Sequence, residues 1–315
     1  MPLNFDLSPE QLRSYQGTNP RPADFDGYWE KALAELDATE PQVEIRPAEF
    51  SAPFARCEDL EFTGVGGVRV HARLARPLTD TEGSAVLFFH GYNGRSTPWT
   101  ELLAYVARGQ TAVAMDMRGQ GWGATATGWA VSNQLLLGLE EGADQLHMRH
   151  AFLDTVRLAR TVMDLPGVDP DRVATTGHSQ GGALSLACAA LEPRIALVAA
   201  VFSFLSDYER AWELALGEAP YNEITTWFRK RDPLHRRREE IFTRLGYIDI
   251  QHLAPRVRAR VDWTVALEDV VCPPSTQFAA YNKLTGTKSL REYPDFGHED
   301  LPGIEDALYT VLHTL

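Results

Sequence analysis

From residue 84 onward the sequence alternates unbroken apolar runs with stretches of helical period, and few folds accommodate that rhythm. The apolar runs are Ala85–Phe89, Thr111–Met115, Arg172–Thr176, Ile195–Phe202, Val261–Leu267 and Leu290–Tyr293. None alternates polar with apolar, which is the mark of parallel strands covered on both faces. Helical periods lie between them, near Trp99–Ala107, His150–Leu165, Gly181–Leu191 and Pro274–Leu284. Phe152, Val156, Ala159 and Met163 form a stripe on one helix, and Ile304, Leu308, Val311 and Leu315 form one on the last. The expected fold is a doubly wound, mostly parallel α/β sheet with helices on both faces. With no linker or internal repeat, residues 1–315 read as one domain.

Ahead of the alternation, Ser8-Pro9-Glu10-Gln11 carries a helix cap, and Phe25 to Leu36 is amphipathic, so residues 1–40 read as a helical extension. A hairpin is expected from Glu58–Thr63, a glycine turn, and Val68, Val70, Ala72 and Leu74 alternating with Arg69, His71 and Arg73. Two segments break the α/β rhythm. Residues 121–147, with Trp122, Trp129 and Leu135-Leu136-Leu137, and residues 203–259, with several helices in succession, read as insertions at the rim, where they shape a pocket or an oligomer contact.

The chain of 315 residues holds 43 acidic and 30 basic residues, a formal net charge of −13, which disfavours nucleic acid as a partner. Arg236, Arg237 and Arg238 read as a solvated helix face. No run reaches the length of a membrane span, and the N-terminus shows no basic segment followed by an apolar core, so a cytoplasmic location is expected. Cys57, Cys188 and Cys272 are odd in number and far apart, which argues against disulfides and a metal cluster.

One of the parallel strands runs into Gly177-His178-Ser179-Gln180-Gly181-Gly182, followed at once by a helical period. A serine among glycines between strand and helix is the pattern of a nucleophile elbow, in which the hydroxyl stands above the sheet. Such a serine needs a base oriented by a carboxylate, in the chain order serine, acid, histidine. His298 lies in a loop between the last strand and the last helix, whereas His313 sits off the apolar stripe of that helix. His178, beside the serine at a sharp turn, is given a structural role. Glu268 and Asp269 both follow the strand ending at Leu267, and either could supply the carboxylate. Oxyanion donors are expected from the N–H of Gln180, at a helix start, and of Tyr92, in the loop Phe89-His90-Gly91-Tyr92-Asn93-Gly94.

Together with Arg118-Gly119-Gln120-Gly121, Asp269-Val270-Val271-Cys272-Pro273-Pro274-Ser275, His298-Glu299, Asp24 to Trp29 and Ala219 to Ile224, these motifs resemble the acetyl xylan esterase and cephalosporin C deacetylase family, carbohydrate esterase family seven, of the α/β-hydrolase superfamily. The resemblance runs over nearly the whole chain. It implies a triad of Ser179, Asp269 and His298, an oxyanion hole from Tyr92 and Gln180, and supporting roles for Arg118 and Gln120. It also implies action without metal or cofactor on small acetyl esters, acetylated xylo-oligosaccharides and cephalosporin C, and a homohexamer. In 121–147 the chain departs from the family pattern, in a segment that contributes to subunit contacts there. The alternatives are a lactonase, peptidase or general carboxylesterase of the same fold, or a catalytically silent binding protein.

Overall fold

The structure, a computed structural model, describes residues 5–79, 81–122 and 134–315; Trp129 of the expected rim insertion lies outside them. Its centre is a nine-stranded sheet in the order β1-β2-β3-β5-β4-β6-β7-β8-β9. The strands are β1 Glu44–Pro47, β2 Ala55–Thr63, β3 Arg69–Pro77, β4 Gly83–Phe89, β5 Thr111–Met115, β6 Val168–His178, β7 Ile195–Val201, β8 Arg260–Ala266 and β9 Lys288–Tyr293. β1 to β3 pair antiparallel and join the sheet through β5, while β5, β4, β6, β7, β8 and β9 are parallel. The six apolar runs are thus the six parallel strands. The chain leaves β4 toward β5 on one side and β6 toward β7 on the other, so the order reverses between β4 and β6. At such a switch point the crevice beyond the strand C-termini is where ligands bind.

Because side chains alternate across a strand, each run feeds two cores. In β4, Ala85, Leu87 and Phe89 enter one core and Val86 the other; in β5, Val113 and Met115 separate likewise from Ala112 and Ala114. The second core is closed by α3 (Trp99–Val106) and α11 (Ile304–Leu312). The first is closed by α4 (His147–Met163) and α5 (Gln180–Leu191), and beyond them by α1 (Pro9–Ser14) and α2 (Phe25–Ala38). The insertion 203–259 carries α6 (Tyr208–Leu214), α7 (Asn222–Arg231), α8 (Arg238–Leu245) and α9 (Ile250–Leu253), and α10 (Pro274–Tyr281) follows β8. No helix among the described residues is long and apolar enough to cross a membrane.

Three local details sharpen these expectations. The stripe on α4 is buried as expected, and Arg149, Asp154, Thr155 and Arg157 on its other sides are buried as well, because α2 and the rim segments cover them. On α11 the buried positions are Ile304, Leu308 and Leu312, with Val311 and Leu315 only partly covered. The arginine run lies at the surface as expected, with Arg237 paired to Glu140 and Glu240, and Arg238 to Glu209 and Glu213.

The N-terminal extension docks on the insertion. Ser8 and Gln11 form the reciprocal cap of α1, Tyr15 Oη donates to Asp207 at 2.8 Å, and Asp207 Oδ1 accepts the N–H groups of Thr18 and Asn19. Buried His252 donates from Nε2 to the Asn19 carbonyl at 3.2 Å. Burial, reinforced by the charge of Lys283, holds its pKa down at about 3 instead of 6.5. The folded protein therefore keeps His252 neutral while the unfolded chain protonates it below about pH 6.5. The stability tied to this group is fully present above that pH and lost as pH falls. Urea titrations stepped from pH 6.5 to 4 should show a loss on the order of 3 kcal/mol from this residue, a part of the slope that His252→Gln removes. An unchanged slope in the variant would refute this assignment.

Candidate active site

Ser179 sits between β6 and α5 with φ 57° and ψ −118°, a left-handed backbone that a residue with a side chain adopts only at a cost of about 1–3 kcal/mol. The surroundings enforce it. Ser179 N–H donates to the Val201 carbonyl at 2.9 Å, and its carbonyl accepts from Phe204 N–H at 3.1 Å. The glycines around it are required by close backbone approach: a Cβ on Gly181 would lie 1.9 Å from the Phe89 carbonyl oxygen, and one on Gly177 2.3 Å from the same atom. A turn this tight carries the serine onto the end of the sheet where β4 ends.

Asp269 and His298 come from the turns after β8 and β9. The two turns are laced together, with Glu268 N–H donating to the Phe296 carbonyl and Leu267 N–H to the Tyr293 carbonyl, both at 2.9 Å. Asp269 is buried; its Oδ1 accepts the N–H groups of Val271 and Cys272 at 2.8 and 2.7 Å, which leaves Oδ2 for His298 Nδ1 at 2.8 Å. The imidazole is about one-fifth exposed and packs on Phe202, 4.4 Å between ring centres. Of the two acids left open by the sequence, the imidazole is bonded to Asp269. With the Nδ1 proton donated to the carboxylate, Nε2 carries the lone pair, the tautomer a base requires. The hydrogen bond of Ser179 Oγ among the described residues is with Cys272 Sγ at 3.8 Å. Sγ in turn lies within 4.8 Å of ligand atoms of Asp269 and His298.

His90 shapes the loop that carries Tyr92. Met117 N–H donates to its Nε2 at 3.0 Å, so the proton resides on Nδ1, which donates to the Gly91 carbonyl at 2.8 Å. Burial lowers the pKa of this ring and keeps it neutral, as both bonds demand. Gln120 joins the loops: Oε1 accepts Asn93 N–H at 2.9 Å, and Nε2 reaches Gln180 Oε1 at 3.0 Å and Gln134 Oε1 at 2.7 Å. Tyr92 Oη donates to Glu223 Oε1 at 2.6 Å and accepts Gln134 N–H at 2.9 Å. Among the described residues neither the Tyr92 N–H nor the Gln180 N–H is taken up by a protein acceptor, and Gln180 opens α5. Two unpaired amides, one at a helix N-terminus, suit an anionic oxygen.

The sequence alone assigns no role in the site to Gln134, Glu223 or Cys272. Glu223 and Cys272 fall inside quoted motifs, whereas Gln134 carries no local signal at all. His178 lines a cavity of about 720 Å³ between α3 and α11, with Nε2 3.5 Å from Glu305. His313, at the end of α11, is exposed.

Arg118 does not reach the serine. Its guanidinium grips buried Asp154 of α4 with two bonds of 2.6 Å and donates to the Val65 carbonyl at 3.2 Å, while its own carbonyl accepts from His147 Nε2 at 3.1 Å. A Cβ on Gly64 would sit 2.2 Å from Asp154 Oδ1, which explains the glycine in that turn. The pair thus anchors the segment carrying Gln120 to α4 and the hairpin. Arg118→Ala leaves a buried carboxylate alone and is expected to cost about 3–5 kcal/mol in denaturant titration. Because the bonds of the arginine go to Asp154 and Val65 and not to Ser179, Asp269 or His298, the protein that remains folded should lose less than tenfold in kcat. A milder stability loss than in an exposed-pair control would refute this anchoring role.

The sequence profile of the acetyl xylan esterase (AXE1) family matches residues 1–315. Acetyl xylan esterase 1 from Thermoanaerobacterium sp. JW/SL YS485 superposes with a TM-score of 0.94 at 48% identity, over 98% of each chain. An acetyl xylan esterase from Paenibacillus sp. R4 does so with a TM-score of 0.89 at 32% identity, over 98% of this chain and 99% of that one. An acetyl esterase of Xylanibacter ruminicola, Axe7A, is 26% identical over 90% of this chain, which spans 64% of that relative's length. The fold is that of the α/β-hydrolases, and the chain belongs to the acetyl xylan esterase family, a family of carboxylic ester hydrolases.

Proposed function

We propose that this protein is a serine esterase that removes acetyl groups from short acetylated xylo-oligosaccharides and other small acetyl esters such as cephalosporin C. The observation that carries the reading is the Asp269–His298 bond of 2.8 Å, made between two separate loops at the sheet end that holds the strained Ser179. The Ser179 hydroxyl turns about its Cα–Cβ bond from Cys272 toward His298 Nε2, which takes its proton as Oγ attacks the acetyl carbonyl. The carbonyl oxygen gains the electron pair and is held by the N–H groups of Tyr92 and Gln180. As the tetrahedral species collapses, the sugar oxygen leaves with the proton from His298. Water, deprotonated by the same imidazole, then attacks acetyl-Ser179; acetate departs and the serine recovers its proton.

Acyl selectivity is attributed to Tyr92. Its ring is fixed by bonds to Glu223 and Gln134 and an edge contact with Phe204, 6.1 Å between centres, so the wall beside the oxyanion donors does not yield to longer chains. A screen of acetate release from acetylated xylo-oligosaccharides, other acetylated sugars and cephalosporin C tests the substrate class. Butyryl esters should be cut at least about tenfold more slowly than acetyl esters, since a few misplaced methylenes cost on this order; equal rates would overturn the selectivity. By likeness to the family we also propose a homohexamer, which light scattering would reveal as about 210 kDa given a chain of 35.1 kDa.

A further inference from the structure

Cys272 has no part in the reaction proposed above, yet its thiol lies against the reacting groups. The residue is fully buried, its N–H is held by Asp269 Oδ1, and Sγ stands 3.8 Å from Ser179 Oγ. One ligand atom each from Asp269, Cys272 and His298 lies within 4.8 Å of the other two. Three points no further apart than this fit inside a circle of about 2.8 Å radius, whereas zinc bonds run about 2.0–2.3 Å to nitrogen, oxygen and sulfur, so shifts of about half an ångström would bring all three ligands to one ion. The donor set of one thiolate, one imidazole and one carboxylate suits a soft or borderline divalent cation and is a poor match for magnesium or calcium.

We propose that Asp269, Cys272 and His298 form an inhibitory site for zinc-like divalent cations, which silences the esterase by occupying its base and its orienting acid. The consequence for activity rests on the catalytic reading of these residues; the binding itself does not. On binding, the thiol proton passes to solvent and a metal–sulfur bond forms; His298 Nδ1, 2.8 Å from Asp269 Oδ2, gives its lone pair to the ion while its proton moves to Nε2, which then has no lone pair for the serine proton. Nothing is oxidised or reduced. Ser179 Oγ, next to the thiol, is placed to complete the coordination or to share it with water.

The test uses the purified full chain with Cd²⁺ as the probe, because a cadmium–thiolate bond has an ultraviolet charge-transfer band that carboxylates and imidazoles do not give. Cadmium should produce one such band per chain, suppress acetyl ester hydrolysis in parallel, and lose both effects on adding a chelator, while magnesium at the same concentration does neither. In Cys272→Ala or Cys272→Ser the band should vanish, and whatever activity remains should be at least about tenfold less sensitive, since even the loss of an outer-shell partner weakens metal sites by about 10–100-fold. His298→Ala, at the more exposed side of the cluster, provides the arm needed if the cysteine variants do not fold, with at least about tenfold weaker cadmium binding expected. Ser179→Ala should keep the band. A band without any esterase activity would sink the catalytic reading and uphold the metal site. Esterase activity with no band at millimolar cadmium, or a band and inhibition that persist in Cys272→Ala, would overturn the site and leave the catalytic reading standing.

Discussion

Ser179→Ala should lower kcat on an acetyl ester by at least about 10⁴-fold while leaving the fold intact. The magnitude follows from what remains: the oxyanion donors and the binding surface still act, but no acyl-enzyme forms and water must attack directly. Stability should scarcely change, because alanine meets the same left-handed backbone at φ 57° and loses only a 3.8 Å contact with Cys272. Ser179→Gly is the informative companion. Glycine adopts that backbone without strain, so it should be as inactive as the alanine variant yet about 1 kcal/mol more stable to urea than alanine at the same position. A Ser179→Ala protein with more than a hundredth of wild-type activity would exclude Ser179 as the nucleophile. A glycine variant less stable than the alanine one would mean that the elbow is not strained.

Much of this arrangement was readable from the chain because its causes are local. The elbow is legible since Gly177 and Gly181 are demanded by the approach of the Phe89 carbonyl, a constraint written in residue type. The inner parallel strands such as β5 and β7 are legible because burial on both faces keeps them almost wholly apolar, whereas β9, at the sheet edge, carries Lys288, Ser289, Arg291 and Glu292. By contrast β1 was missed: Glu44–Pro47 is a four-residue edge strand, mostly exposed, whose pairing with β2 supplies the order that its sequence lacks. The choice between Glu268 and Asp269 was equally out of reach of the residues themselves, since both stand in one turn after β8. Only the geometry shows Asp269 bonded to the amides of Val271 and Cys272 and thereby turned to His298. Least legible was the amide network. Gln120, Gln134 and Gln180 meet across separations of 14 and 60 residues, and a glutamine has no spacing rule that announces its partner.

The same geometry makes Asp269 a residue whose two oxygens can be tested apart. Asp269→Asn should reduce kcat by about 10⁴-fold with little change in stability. Its amide oxygen can still accept the N–H groups of Val271 and Cys272, so the turn stays closed. Its NH₂ group then faces His298 Nδ1, which can only accept, and the ring proton moves to Nε2. An imidazole protonated there has no lone pair for the Ser179 hydroxyl. Asp269→Ala removes the acceptor as well, stranding two turn amides at a buried position, and should be destabilised by about 1–3 kcal/mol in addition to being inactive. Activity and urea midpoints measured on both variants separate these effects: the asparagine protein should match wild type in midpoint and the alanine protein should fall below it. If the asparagine variant keeps more than a tenth of wild-type kcat, the carboxylate serves the turn alone, and the orientation of His298 must come from elsewhere, with its packing on Phe202 as the remaining support.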